Sequence, residues 1–501
     1  MQTVILSIDG YRLTIAETCA VARARTAAVM IAPAAVERMN ASRQLIDRLA
    51  AGEEPIYAVN TGVGLLANVR IARDELEQLQ RNVIRSHCVG VGEPLGREVV
   101  RAMILIRANV LAMGFSGIRP LVAERLCDLL NRGVTPVVPS QGSVGASGDL
   151  APLSHMALVL IGEGEAEFEG TLLDGGEALR RAGIEPITLH PKEGISLING
   201  TQAMLAVGCL ELEAIKVLVD SADAICGLTL DGLRGTPRAF DERIHASRPH
   251  PGQMESAARL RRLLEGSEIR QSHIDCRRVQ DAYSLRCAPQ VHGAVRDTLT
   301  EARRVFEIEL NSATDNPLVF GDEILSGGNF HGEPLAFQLD FLAVALCALS
   351  GISERRIDRL VNPALNEELP PFLAGHPGLE SGLMMAQVTA ASLVAENRVL
   401  AYPASTGSIT TSGNKEDFVS MGMTSASKLQ RVTRNTRAVL AIEALCAARA
   451  LDLLAPLRTS PVLEEARARI RRVSPPIEGD RPFYRDIAAI EGLIAAGGLR
   501  L

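Results

Sequence analysis

The chain contains no tryptophan, and aromatic residues make up only 3% of its 501 residues. A core built on large rings is therefore excluded. Leu, Ala, Val, Ile and Met must fill it, and Ala and Leu head the helix propensity scale. An excess of basic residues is also missing. The 52 Lys and Arg stand against 59 Asp and Glu, for a net charge of −7. With no basic tract either, a nucleic-acid partner is excluded. The nine cysteines are scattered singly, with no C-x-x-C pair. That excludes a disulfide scaffold and points to reduced thiols in a cytoplasmic protein. The opening "MQTVILSIDGYRL" has no basic region followed by an apolar run, so no secretory leader is expected. The longest apolar run, "FLAVALCALSGI" (Phe341 to Ile352), is shorter than the ~20 residues a bilayer requires. It is expected to be a core helix, and no membrane association is expected.

Helix-period patterns dominate what is present. They run over Ala34 to Gly52, Arg97 to Gly114, Val291 to Pro317, Met384 to Pro403 and Lys428 to Leu454. Apolar residues recur three and four apart in each, and the first two end at glycine. Strand-like alternation is confined to short pieces such as "QTVILSI" and "EAEFEG". The expected fold is mainly α. A mixed N-terminal region (1–200) precedes a bundle of long helices and C-terminal helices (201–501). Five polar stretches interrupt the helices. They are "YAVNTGVG" from Tyr57, "GSVGASGD" from Gly142, "INGTQA" from Ile198, "QDAYSLR" from Gln280 and "SGGNFHGEP" from Ser326. Sites tend to be built on such loops.

The glycine-rich stretch "GSVGASGDLAPLSH" (Gly142 to His155) admits several chemistries. No Gly-Lys-Ser/Thr follows, so it is not a phosphate loop, and no nucleotide is expected. The histidines include no pair three or four apart and no H-E-x-x-H, so no metal is expected. Ser147 lacks the G-x-S-x-G elbow of a serine hydrolase. A plain turn remains open. So does backbone condensation, because the Gly148 nitrogen has no neighbouring Cβ to shield the Ala146 carbonyl. Ring closure and loss of two waters would yield a methylidene-imidazolone, an electrophile that no ordinary side chain provides.

That stretch closely resembles the prosthetic-group loop of the aromatic amino-acid ammonia-lyase family. "YAVNTGVGLLA", "SHCVGVGEPL", "GFSGIRP", "KEGISLINGTQA", "RIHASR", "VQDAYSLRCAPQV", "DNPLVF", "SGGNFHGEP" and "NKEDFVSMG" resemble family segments in family order. The resemblance implies the long-helix bundle of the histidine and phenylalanine ammonia-lyases. It also implies a methylidene-imidazolone formed from Ala146, Ser147 and Gly148, and a homotetramer with active sites shared between subunits. By the same resemblance, Tyr57 is the catalytic tyrosine and Arg286 the carboxylate-binding arginine. Asn199, Gln280 and Tyr283 lie near the carboxylate and the ring, and Phe330 forms an aromatic wall. A free tyrosine titrates at about pH 10, so Tyr57 would need help to act as a base. Asp149 and Pro152 mark a helix start just after the ring, whose positive end suits developing negative charge.

Substrate choice is expected to rest on Ser86-His87, Glu416 and Met384. The first two resemble histidine enzymes, and either His87 or Glu416 can bond an imidazole. Lys415 stands where glutamine is typical, placed to pair with Glu416 or to meet a different side chain. The resemblance therefore implies a carbon–nitrogen lyase converting L-histidine to urocanate. The alternative is a lyase or 2,3-aminomutase for tyrosine, phenylalanine or another amino acid.

Overall fold

Local signals set the ends of the helices. In the computed structural model, which describes residues 4–275 and 279–501, the helix Pro33–Ala51 opens with proline at its first turn and closes at Gly52. Proline costs no hydrogen bond there, because that N–H has no intrahelical partner. The other expected long helices are Arg97–Ala112, Ala288–Leu310, Met384–Leu400 and Gly422–Leu453. The last begins six residues before the apolar pattern. Its start is fixed from outside, by the Met421 N–H donating to the Val144 carbonyl at 2.8 Å.

The chain divides into two units. The first comprises Met1–Leu210, Arg303–Asp340 and Pro403–Ser427. Among the described residues, every strand belongs to it. Val4–Ile8 pairs in parallel with Ala27–Ile31, Val4 opposite Ala27. Glu165–Phe168 and Thr171–Asp174 form a hairpin, and Thr135–Pro136 adds a third strand. The hairpin turn, Glu169-Gly170, has positive φ at both positions (52° and 81°), which suits the twist of its strands. Val91–Pro94 pairs with Pro139–Gln141, and that ribbon delivers the chain into the Gly142–Asp149 stretch.

The helix Arg97–Ala112 is the axis of this unit, buried continuously from Val99 to Ala112. Each large apolar side chain buried there contributes about 1.5–3 kcal/mol. Two arginines share that burial. Arg101 donates to the carbonyls of Val21 and Leu130. Arg107 donates to the carbonyls of Asn199 (2.9 Å), Thr314 (3.2 Å) and Ser196, and to Gln202 Oε1 (3.1 Å). One buried guanidinium thus fixes the backbone from 196 to 202.

The second unit comprises Glu211–Ala302, Phe341–Tyr402 and Lys428–Leu501. An ionic cluster lies in its interior. Asp223, fully buried, accepts from His292 Nδ1 (2.8 Å), Arg296 Nη2 (2.6 Å) and Arg259 Nε (3.0 Å). Arg356 makes a two-pronged pair with Glu443 at 2.5 and 2.8 Å. Thr229 and Ser353 donate to the same carboxylate.

Among the described residues, Glu333–Val361 is the helix long and apolar enough to cross a membrane. The helix is longer than the apolar run read from the sequence, because it continues past both ends of that run. Leu335, Leu339, Leu342, Leu346 and Leu349 are all buried. Their spacing of three and four residues is that of one face set into a protein core.

Candidate active site

Glycines shape the 142–149 stretch. Gly142, Gly145 and Gly148 have φ of 133°, 69° and 72°. A Cβ on Gly148 would lie 2.1 Å from the Gly200 oxygen, and one on Gly145 would lie 2.2 Å from Ser420 Oγ. Both positions therefore require glycine for conformation and for space. The loop is tied to two distant segments. Asp149 N donates to the Gly200 carbonyl at 2.7 Å, and Ser420 Oγ donates to the Gly145 carbonyl at 3.1 Å.

A helix, Leu150–Leu160, starts immediately after this loop. Asp149 does not cap it. Its carboxylate instead accepts from the N–H groups of Ala203 and Met204, at 2.9 Å each, and from Ser143 Oγ at 3.0 Å. It caps the helix Gln202–Gly232, whose free N–H groups are closer at hand than those of its own helix. Burial pushes this carboxyl up to about 7, and the three donors only partly oppose that.

Ser147 faces a cavity of about 270 Å³ lined by His87, Ala146, Ser147, Gly148, Thr411 and Glu416, among others. Ser147 Oγ donates to Glu416 Oε1 at 3.1 Å. Thr411 Oγ1 donates to Glu416 Oε2 at 2.6 Å. Lys415 is exposed and forms no ion pair with Glu416. His87 ends the helix Leu76–His87, whose Leu76, Gln80, Val83 and Ile84 form its buried face. His87 Nδ1 lies 2.6 Å from the Val83 carbonyl, an oxygen that only accepts. Nδ1 therefore carries the proton, and in the neutral ring Nε2 is an acceptor.

The remaining expected residues are placed as follows. Tyr57 is half-buried in a turn, its hydroxyl accepting from the Gly64 N–H at 3.4 Å. It does not line the Ser147 cavity, and neither does half-buried Phe330. Asn199 is buried. Its Nδ2 donates to the Asn316 carbonyl at 3.2 Å, while its Oδ1 has no partner among the described residues. Gln280, Tyr283, Arg286 and Met384 belong to the second unit. There Gln280 and Arg286 line another cavity, of about 340 Å³. The Arg286 guanidinium stacks 4.5 Å from the centre of the Tyr283 ring, and its buried Nε has no partner among the described residues. Arg356 Nη1 donates to the Ser284 carbonyl at 3.4 Å, so the ionic cluster braces this turn. Half-buried Met384 opens the helix Met384–Leu400.

Sequence reasoning missed Thr411, Ser143 and Arg107. Only Arg107 carried a signal, a charge inside the apolar run "AMILIRANVLA".

Known proteins resemble this chain in sequence and in fold. The model of the aromatic amino acid lyase family matches residues 13–472. A histidine ammonia-lyase of Koribacter versatilis is 62% identical over 482 residues, 93% of each chain. Among solved structures, histidine ammonia-lyase from Trypanosoma cruzi aligns with a TM-score of 0.91 at 43% identity, over 98% of this chain and 94% of that one. Tyrosine aminomutase from Streptomyces globisporus aligns with a TM-score of 0.93 at 40% identity, over 99% and 98%. A family match across nine-tenths of the sequence, carried by a fold shared from end to end, leaves one conclusion: this chain belongs to the aromatic amino acid lyase family.

Proposed function

We propose that this protein is an ammonia-lyase that converts L-histidine to urocanate and ammonia. The observation that carries the reading is the convergence of His87 and Glu416 on the cavity in front of Ser147. Two imidazole-binding groups, an acceptor nitrogen and a carboxylate, suit a heterocycle and would be wasted on a phenyl ring. The curated relatives named histidine ammonia-lyase support it.

The Ala146-Ser147-Gly148 backbone fits a methylidene-imidazolone. Gly148 has no Cβ and a φ of 72°, and its N–H makes no hydrogen bond among the described residues. That group supplies an electrophile for the substrate amine. The chain's own residues do the rest. The N-terminus of Leu150–Leu160 presents its positive end beside the loop. Tyr57 takes the Cβ proton of the substrate. Arg286 grips the carboxylate through its planar fork. Asn199, Gln280 and Tyr283 complete the polar lining, and Phe330 and Met384 provide apolar walls. Lys415 borders the specificity group from the solvent side. We infer a homotetramer with shared active sites, supported by the exposed apolar side chains Val344, Val388 and Val399 on long helices. The scattered free cysteines accord with a reducing, cytoplasmic setting.

A second reading, a 2,3-aminomutase, draws on the likeness to tyrosine aminomutase. One experiment separates the two. Purified protein, its mass in solution measured by light scattering, is incubated with L-histidine, L-tyrosine and L-phenylalanine. Ammonia and an ultraviolet-absorbing product are expected from histidine alone. Product from another amino acid with none from histidine overturns the proposal, and a β-amino acid establishes the mutase.

A further inference from the structure

One contact in the Ser147 cavity cannot outlast maturation of the loop. Ser147 Oγ donates to Glu416 Oε1 at 3.1 Å, and the methylidene reading removes that hydroxyl. The carboxylate is held for this contact. Thr411 Oγ1 donates to Oε2 at 2.6 Å, and the Thr411 N–H donates to the Glu416 carbonyl at 2.9 Å. Those two bonds close the 411–416 loop, so both the side chain and the backbone of Glu416 are pinned. A carboxylate with one oxygen anchored and the other on a serine hydroxyl has the geometry of a proton carrier.

We propose that Glu416 has a second role, earlier than substrate binding: it dehydrates Ser147. The proposal rests on the methylidene-imidazolone reading. In the step, the Ser147 Cα–H and Cβ–Oγ bonds break. The electron pair of the first becomes the new Cα=Cβ bond, and that of the second leaves with the oxygen. The Glu416 carboxylate takes the proton from Cα and passes it to Oγ, which keeps its own proton as well. Water departs and the carboxylate is regenerated. The two bonds start from adjacent carbons, so one carboxylate resting on Oγ serves both. Once Oγ is gone, Oε1 has lost its donor while Thr411 still holds Oε2. The group that would select the substrate is thus occupied until the loop matures.

Intact mass of the purified full-length chain reads this step without turnover. The wild-type chain is expected to be two waters lighter than its translated sequence. Glu416→Gln can still accept from the Ser147 hydroxyl but cannot carry the proton. It is expected to retain at least one of the waters in most molecules, with wild-type helical circular dichroism. A Glu416→Gln chain two waters light to the wild-type extent overturns the proposal. If that variant does not fold, Thr411→Val decides. It keeps the carboxylate but releases it, and the mass loss after induction is expected to slow several-fold. A wild-type rate there overturns the proposal. A wild-type chain with no mass deficit overturns the prosthetic-group reading and the proposal together. A full deficit in both chains overturns the proposal alone.

Discussion

Asp149 in the first unit and Asp223 in the second are both fully buried, yet they are driven in opposite directions. Burial pushes Asp149 up to about 7, because its donors are neutral dipoles, two backbone N–H groups and a serine hydroxyl, and the Glu309 charge adds to the upward push. Burial also pushes Asp223 up, but His292 and Arg296 outweigh it and hold the carboxyl below its ordinary range. Depth alone therefore does not set the charge of a buried acid. The charge of its partners does. The first arrangement sits beside the candidate catalytic loop, where backbone dipoles are kept aimed. The second sits in a helix bundle, where cations lock three stretches of chain together.

The largest expected effect comes from breaking the cationic arrangement. Asp223→Ala removes the acceptor of His292 Nδ1, Arg259 Nε and Arg296 Nη2, leaving Arg296 only its pairing with Asp220 and Glu255, and about 3–5 kcal/mol of stability should be lost. Thermal and denaturant unfolding measure it. For Asp223→Asn, the penalty should stay flat between pH 7 and 8, above the range in which His292, held below its ordinary value by burial, takes up a proton. The native carboxyl, with its lowered pKa, gives up its contribution only in stronger acid.

Asp149 should behave in the opposite sense. The folded protein keeps its proton to about pH 7, while the unfolded chain releases it at about pH 4. The wild-type protein therefore loses stability from this group as pH rises through that window. Asp149→Asn does not titrate, so its stability relative to wild type should improve from pH 5 to 8, by about 3 kcal/mol. Melting temperatures of the two proteins across that range test it. An unchanging difference would show that Asp149 is charged throughout.

The smallest effect sharpens the same contrast. Ser143→Ala removes one of the three donors to Asp149 and should cost about 1 kcal/mol in unfolding experiments. It should also move the pH dependence of the protein upward.

Much of the fold was legible because helix formation is local. The 3.6-residue periodicity and the punctuation at Pro33 and Gly52 marked helices without reference to distant residues. The glycine-rich loop was legible for a similar reason, since positive φ leaves few residue choices. Partners across the chain were not legible. Nothing near Asp149 in sequence says that it caps the helix from Gln202, and nothing near Thr411 says that it holds Glu416. The division into two interleaved units likewise depends on which remote segments pack together. Arg107 shows a signal without its partners. A lone charge in an apolar helix must find buried acceptors, and carbonyls at 196, 199 and 314 supply them.

The close approach of Gly148 to Gly200 has a consequence for how this protein can vary. A methyl group on Gly148 would meet the Gly200 backbone, whereas one on Gly200 would meet Gln202 Oε1, the Thr314 oxygen and Arg107 Nη1. Alanine at either position therefore meets its own obstacle, and neither change makes room for the other. To mutation, these glycines from separate loops are two locks in series, and a lineage that opens one still finds the other closed.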